Sequence, residues 1–296
     1  MSNNVSDPAQ AIRDFSPTHE FFVGIDSDGC VFDSMEIKHQ ECFAPMFIKH
    51  FGLQAVSKYA REVWTFVNLY STTRGCNRFH ALIRALELLT NRKEVKLRGV
   101  KVPSFPALLE WTNRESKLGN ATLDLEVAKG NEGLKPVKIW SDAVNTTVKE
   151  MVHGVPPFPL VRESLDKAKA QADCMVISQT PVEALEREWE ETSLRENVLM
   201  IAGQEMGTKT EHLEFAAKDK YRPNNILMIG DAPGDHKAAT ANEALFFPIN
   251  PGNEEASWER LHNEGLNNFF AGTFSGKYQY QLLEEFSSYL PKTPSW

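Results

Sequence analysis

The sequence has few cysteines, no basic leader and no long apolar segment. Its four cysteines are widely spaced and form no CxxC pair, which predicts reduced, unpaired thiols in a cytoplasmic protein. The start, MSNNVSDPAQAIRDF, lacks both a basic end and an apolar core, so no secretion signal is predicted. No apolar run approaches the ~18 residues that cross a bilayer, and we therefore expect no membrane association.

The chain also has fewer basic than acidic residues, and its formal net charge is −8 over 296 residues. This balance argues against nucleic acid as a partner, because phosphate backbones require a basic surface. A small phosphorylated metabolite remains a possible ligand, since a few local lysines and arginines are enough for one phosphate. The length predicts one large domain or two modest ones.

Short apolar runs recur along the chain, and several of them end in aspartate, serine or glycine. Such runs are typical of strands buried on both faces of a sheet. The predicted strands are residues 21–25, 174–177, 198–202, 226–229 and 245–249. The predicted helices between the later strands are residues 160–170, 181–192, 209–218 and 235–243. This alternation predicts an α/β fold with a doubly wound parallel sheet. The helix at 181–192 has a start signal, with Thr180 as cap, Pro181 at the first position and Glu183 completing a capping box.

The stretch from residue 35 to residue 155 interrupts this alternation. It shows amphipathic helical patterns punctuated by glycines, and the proline cluster VPPFP marks a return to the sheet. We therefore predict a Rossmann-like catalytic core at 17–34 and 156–296, with a helical cap domain inserted at 35–155.

The segment GIDSDGCVFDS carries the first group of candidate site residues. Asp26 ends the first apolar strand, Asp28 follows it, and Gly29 permits a sharp turn. Ligands of doubly wound sheets bind outside the carboxyl ends of the strands, where these two side chains are expected. Considered alone, the segment is equally consistent with an ordinary acidic turn.

A second acidic segment, MIGDAPGD, repeats this arrangement. Asp231 follows an apolar strand and Asp235 comes four residues later, although Asp235 also fits a helix cap. Like charges about 4 Å apart repel by about 4 kcal/mol at an effective dielectric constant near 20. Four carboxylates at one sheet edge therefore need a cation, and oxygen ligands without cysteine or histidine favour Mg²⁺.

Two further residues fit a phosphate-binding site. Ser178 ends the strand MVIS, and Lys209 opens a helix after the strand VLMIA. A turn serine and a solvated lysine are the simpler interpretations of each residue alone. Their order and placement along the chain support the phosphate site.

In this order, the four segments resemble the motifs of the haloacid dehalogenase superfamily, and residues 35–155 resemble its C1 cap. The resemblance implies that Asp26 is a nucleophile that forms an aspartyl-phosphate, and that Asp28 is the general acid and base. It implies that Mg²⁺ is bound by Asp26, the backbone carbonyl of Asp28, Asp231 and Asp235. It also implies that Ser178 and Lys209 bind the transferring phosphoryl group. An aspartate at position 28 favours phosphate esters over the halide and phosphonate substrates of other members.

The segment TRGCNRF in the insertion resembles a cap loop of beta-phosphoglucomutase and its phosphatase relatives. Arg74 and Arg78 are candidates for binding a second anionic group of the substrate, because guanidinium groups bind phosphate or carboxylate bidentately. A helix start with two exposed arginines is an equally good interpretation.

The leading hypothesis is a magnesium-dependent phosphatase for a small phosphomonoester of the phosphoglycolate or sugar-phosphate type. A phosphomutase would use the same aspartyl-phosphate but return the phosphoryl group to its product. A non-catalytic binding protein on the same scaffold is the third hypothesis, since fold does not guarantee activity. Asp26 and Asp28 argue against it, because every catalytic position expected from the resemblance is filled.

Overall fold

The computed structural model describes residues 7–296, which divide into two units. The sheet unit comprises residues 7–34 and 154–290, and the helical unit comprises residues 35–153 and 291–296. The predicted core comprised residues 17–34 and 156–296, and the predicted cap comprised residues 35–155. The two units differ from these bounds, because residues 7–16 and 154–155 group with the sheet unit and residues 291–296 group with the helical unit.

The sheet unit is built on five parallel strands in the order β3-β2-β1-β4-β5. The strands are β1 Phe21–Ile25, β2 Ala172–Ile177, β3 Met200–Ala202, β4 Ile226–Gly230 and β5 Leu245–Pro248. Almost every strand residue is buried, as expected of strands covered by helices on both faces. The predicted α/β class with a doubly wound parallel sheet is confirmed.

The helices of the sheet unit lie before β1 and after residue 160. They are α1 Gln10–Asp14, α10 Val161–Lys169, α11 Val182–Glu191, α12 Lys209–Ala216, α13 Pro233–Ala241, α14 Glu254–Arg260, α15 Leu266–Phe270 and α16 Lys277–Tyr289. A π-helical turn, Leu261–Gly265, joins α14 to α15. Short 3₁₀ turns lie at Arg195–Asn197, Gln204–Met206 and Pro223–Asn225.

The helical unit contains the remaining helices. The first of them, α2, begins at Ser34, one residue before the unit itself begins. They are α2 Ser34–Ile37, α3 Ala44–His50, α4 Ser57–Asn68, α5 Arg78–Asn91, α6 Lys93–Leu97, α7 Pro106–Arg114, α8 Asn120–Ala128 and α9 Lys135–Met151. A π-helical turn, Lys38–Phe43, joins α2 to α3, and 3₁₀ turns lie at Gln54–Val56 and Glu132–Leu134. Within residues 7–296, no helix has both the length and the apolar character needed to cross a membrane.

Large aromatic side chains form much of the core of the helical unit. The rings of Phe47 and Trp64 lie 5.0 Å apart between centroids, and both side chains are fully buried. The C-terminal Trp296 lies 5.5 Å from the ring of Phe66, and the guanidinium of Arg92 lies 4.3 Å from the Trp296 ring. These contacts explain why the last residues group with the helical unit.

The amino end of the sheet is held by Asp173, a buried carboxylate near the start of β2. It accepts hydrogen bonds from the backbone amides of Thr18 at 2.8 Å and His19 at 3.0 Å. It also accepts one from the hydroxyl of Tyr221 at 2.6 Å. The Asp173 carboxylate therefore fixes the segment that leads into β1.

Acid is expected to weaken this end of the sheet through Asp173. Burial would raise the pKa of Asp173, but donors from Thr18, Tyr221 and His19 outweigh burial and lower it from 3.8 to about 2. A depressed folded-state pKa stabilises the fold fully above the unfolded value, and this stabilisation is lost as the pH falls toward 2. The shift corresponds to about 2 kcal/mol.

Urea unfolding of the wild type and of Asp173→Asn between pH 6 and pH 2.5 tests this expectation. We expect the wild type to be the more stable protein at pH 6, and the difference to shrink toward pH 2.5. A difference in unfolding free energy that does not change with pH would contradict the assignment.

Candidate active site

The site lies where the strand order of the sheet reverses, between β1 and β4. In doubly wound sheets, this reversal opens a crevice at the carboxyl ends of the strands. Asp26 follows β1 and Asp231 follows β4, and the Asp26 amide donates to the carbonyl of Ile229 at 3.0 Å. The topology therefore brings the two aspartates together although they are far apart in sequence.

The loop after β1 turns sharply. Gly29 has φ of +77°, which favours glycine, and its amide donates to the carbonyl of Phe32 at 2.8 Å. The Ser27 amide donates to Oδ1 of Asp26 at 2.8 Å, which fixes the orientation of that carboxylate. Asp26 itself is only 4% exposed.

Asp235 lies in the first turn of α13 but does not cap it. The N-cap position is Ala232, whose amide donates to Oδ2 of Asp235 at 3.0 Å. The helix begins at Pro233, two residues before the predicted start. A glycine at position 230 is required here, because a Cβ at Gly230 would lie 2.4 Å from Cβ and Cγ of Asp235.

The substitution Gly230→Ala is therefore expected to displace Asp235. The overlap is with a buried side chain close to its own backbone, so we expect a loss of about 1–3 kcal/mol of stability. Gly234→Ala is the matched control, since a Cβ there meets no atom within 4 Å. Thermal unfolding would be measured for both variants. Equal effects of the two substitutions would contradict the steric argument.

Three buried carboxylates converge at this point. Asp26, Asp231 and Asp235 each offer an oxygen, and these oxygens lie within 4.8 Å of one another. The pKa of Asp26 is raised well above its ordinary value, first by burial and then by the charges of Asp235 and Asp231, although Lys209 opposes the rise.

Lys209 is the cation of the cluster. Its ammonium nitrogen lies 2.6 Å from Oδ2 of Asp26 and 2.6 Å from Oδ1 of Asp235. Burial would lower the pKa of Lys209, but the charges of Asp235 and Asp26 raise it by more. The pKa of Lys209 is therefore above its ordinary value, and the side chain stays charged. Lys209 is the first residue of α12, whose start is fixed by a capping box between Thr208 and Glu211.

The charge of this cluster fits a divalent cation. When ionised, three carboxylates carry three negative charges and Lys209 supplies one positive charge, which leaves two negative charges in a buried site. Burying uncompensated charge is costly, so a bound cation would stabilise the ionised form. Oxygen ligands without nitrogen or sulfur are the donor set that Mg²⁺ prefers. The side chain of Asp28 does not belong to this group of three carboxylates. Binding of Mg²⁺ by the backbone carbonyl of Asp28 stays a prediction.

Ser178 and Asp28 are also at the carboxyl edge of the sheet. Ser178 is buried after β2, and its amide donates to the carbonyl of Ala202 at 2.9 Å. Both carboxylate oxygens of Asp28 accept hydrogen bonds from hydroxyl groups. Oδ1 accepts from Ser34 at 2.5 Å, and Oδ2 accepts from Thr180 at 2.6 Å. The roles of these residues toward a phosphoryl group stay predictions.

The contact from Thr180 corrects the sequence interpretation of this segment. Thr180 was predicted to cap a helix that starts at Pro181, but α11 begins at Val182 and Pro181 occupies the cap position without a side-chain bond. The amide of Val182 instead donates to Oε2 of Glu205 at 3.1 Å. The predicted capping box is therefore wrong.

Arg74 and Arg78 lie in the helical unit and make contacts there. Arg74 is buried and donates to the carbonyl of Leu69 at 3.0 Å. Arg78 donates to Oδ1 of Asn145 at 2.6 Å, and its guanidinium lies 5.0 Å from the centre of the Phe43 ring. Burial lowers the pKa of Arg78 to about 10. Substrate binding by either arginine stays a prediction.

The structure also shows supporting residues that the sequence did not reveal. The hydroxyl of Ser27 accepts from Nε1 of Trp189 at 3.0 Å and donates to Oε2 of Glu188 at 3.2 Å. Nε1 of Trp258 donates to the carbonyl of Cys30 at 2.7 Å. No local pattern marks these partners, because each lies far along the chain from the loop that it holds.

Comparison with protein-family models and with curated proteins gives no match. Among solved structures, the chain is similar to a haloacid dehalogenase-like hydrolase from Streptococcus pneumoniae, with 12% identity and a TM-score of 0.42 over 82% of this chain and 91% of the other. It is similar to a predicted phosphoglycolate phosphatase from Haemophilus somnus, with 15% identity and a TM-score of 0.45 over 78% and 86%. It is also similar to CbbY from Rhodobacter sphaeroides, solved in complex with phosphate, with 13% identity and a TM-score of 0.40 over 77% and 85%. Likenesses of this strength bear on neither substrate nor activity, which depend on the side chains of the site.

Proposed function

We propose that the protein is a magnesium-dependent phosphatase that hydrolyses a small phosphomonoester through an aspartyl-phosphate on Asp26. The observation that carries this proposal is the buried cluster of three aspartates around Lys209, which has two negative charges in excess when all three carboxylates are ionised. It offers a carboxylate nucleophile beside a site for a divalent cation. It lies at the sheet edge where ligands of this fold class bind.

In the first step, a carboxylate oxygen of Asp26 attacks phosphorus and the bond from phosphorus to the ester oxygen breaks. Asp28 gives its proton to that leaving oxygen, so that the alcohol departs neutral. Ser178 and the ammonium of Lys209 bind the phosphoryl oxygens. Lys209 already lies 2.6 Å from Asp26, so its charge is next to the reacting atoms.

In the second step, water attacks the phosphorus of the aspartyl-phosphate. Asp28 accepts the proton of that water, the bond from phosphorus to the Asp26 oxygen breaks, and inorganic phosphate leaves. Mg²⁺, held by Asp26, Asp231 and Asp235, would offset the negative charge of the phosphoryl oxygens throughout. Covalent catalysis divides one difficult displacement into two easier ones.

The resemblance supports a phosphorylated metabolite as the substrate, and Lys209 supplies a positive charge for one phosphate. We propose a phosphomonoester of the phosphoglycolate or sugar-phosphate type, with Arg74 and Arg78 as candidate ligands of a second anionic or polar group. A panel of such metabolites, assayed for phosphate release with Mg²⁺ and with a chelator, tests the proposal. Magnesium-dependent release from one member would support it.

Two outcomes would contradict the phosphatase proposal. The first is isomerisation of a sugar phosphate without phosphate release, which would indicate a phosphomutase. The second is the absence of turnover of every member of the panel, which would favour a binding protein. Unchanged KM values in Arg74→Ala and Arg78→Ala would remove the two arginines from the proposed site.

A further inference from the structure

The carboxylate of Asp28 is held by one hydroxyl group on each of its oxygens. Oδ2 accepts from Oγ1 of Thr180 at 2.6 Å, and Oδ1 accepts from Oγ of Ser34 at 2.5 Å. Ser34 lies on the same loop as Asp28, whereas Thr180 comes from the loop after β2. The contact with Thr180 therefore ties Asp28 to a different strand of the sheet.

Thr180 is itself fixed from several sides. Its carbonyl accepts from the amide of Gln204 at 3.1 Å, and its amide donates to Oγ of Ser178 at 3.2 Å. Gly203 approaches it so closely that a Cβ there would lie 2.7 Å from the Thr180 carbonyl oxygen. Pro181, which follows, disfavours helical backbone at Thr180. The hydroxyl is thus presented to Asp28 from a rigid segment that also carries Ser178.

A hydroxyl group suits an acid–base residue because it can donate or accept. It donates to Asp28 when Asp28 is a carboxylate, and it can accept from Asp28 when Asp28 carries the proton. A backbone amide in the same place could serve only the carboxylate. One side chain can therefore hold Asp28 in place through both steps of the proposed reaction.

We propose that Thr180 is a positioning residue for Asp28, and that it keeps the Asp28 carboxyl group aimed at the reacting oxygen. This inference rests on the proposed function. Thr180 acts through Asp28, so it should affect the rate of the chemical steps more than substrate binding. Displacement of a catalytic group by about 1 Å can cost about 10²-fold in rate.

The test compares Thr180→Val, Thr180→Ser and Thr90→Val. Valine keeps the shape of threonine without its hydroxyl, and serine restores the hydroxyl. Thr90 is the matched control, because its hydroxyl bonds to the carbonyl of Leu86 within α5 at 2.7 Å. We expect kcat to fall about 10–100-fold in Thr180→Val with KM within about 3-fold, and to return to near wild type in Thr180→Ser. Thr90→Val should match the wild type.

A crystal structure of Thr180→Val gives a readout that does not depend on turnover. We expect the Asp28 side chain to adopt a different rotamer, or more than one, when the valine replaces its partner. Unchanged kcat in Thr180→Val would overturn the inference, as would an Asp28 side chain that keeps its orientation. Activity that survives in Asp26→Asn would instead overturn the proposed function, so the two failures are distinguishable.

Discussion

Asp26→Asn is expected to lower phosphate release by at least about 10⁴-fold, because an amide cannot replace the carboxylate as nucleophile. Asparagine has nearly the same size as aspartate, and its amide oxygen can still accept from Ser27. The substitution also removes a buried negative charge from a cluster that has two in excess. We therefore expect the variant to fold, and the loss to lie in the chemistry.

The measurement is phosphate release from the best substrate of the panel, with circular dichroism and thermal unfolding to establish folding. Asp219→Asn is a matched control, since Asp219 is exposed and its φ of 62° is a conformation that asparagine also adopts. That variant should retain wild-type activity. Residual activity within 10-fold of the wild type in Asp26→Asn would rule out Asp26 as the nucleophile.

Removal of divalent metal is expected to abolish activity, and added Mg²⁺ should restore it. Three aspartates and one lysine leave two negative charges that a divalent ion would neutralise. Binding should also stabilise the folded protein by about 2.7 kcal/mol when Mg²⁺ is present at 100 times its dissociation constant, and so raise its melting temperature. The thermal shift does not depend on knowledge of the substrate.

Asp231→Asn provides the specific test of this metal site. Asp231 is 1% exposed and lies in the cluster, and the contact with Lys209 involves Asp26 and Asp235 instead. Loss of Asp231 should therefore weaken the Mg²⁺-dependent thermal shift and activity while the ion pairs of Lys209 remain. A shift as large as that of the wild type, or full activity after chelation, would contradict the assignment. Asp219→Asn serves again as the control for loss of one carboxylate.

Much of the sheet and of the carboxylate cluster could be predicted from the sequence. Strands of a parallel sheet are apolar throughout, so residues 21–25 and 226–229 were recognisable, and a polar residue after each strand lies at the same edge. Convergence of Asp26 with Asp231 follows from these two rules together. The distance between their carboxylate oxygens does not follow from these rules. It depends on strand order and register, which local sequence patterns do not determine.

Thr180 shows the limit of local patterns. A threonine before proline and three residues before a glutamate fits a helix start, and the sequence could not reveal a stronger partner 152 residues away. Asp235 is the opposite example, because the sequence offered two interpretations of it and the structure supports the first. It belongs to the acidic cluster and is not the cap residue of α13, which is Ala232. Its carboxylate accepts the amide at the cap position from within the helix and also binds Lys209.

The position of β1 in the sheet also has a consequence for folding kinetics. β1 is the central strand, yet both strands that pair with it lie far along the chain. Phe21 pairs with Ala172 of β2, and Phe22 pairs with Ile226 of β4. Pairing β1 with β2 or β4 closes a loop formed by the chain between the two strands. The entropy cost of closing that loop grows with the logarithm of its length. Helices make mostly local contacts and fold faster than distant strand pairs. If the helical unit folds first, it shortens the flexible chain that must close, and the sheet with its aspartate cluster is then completed last.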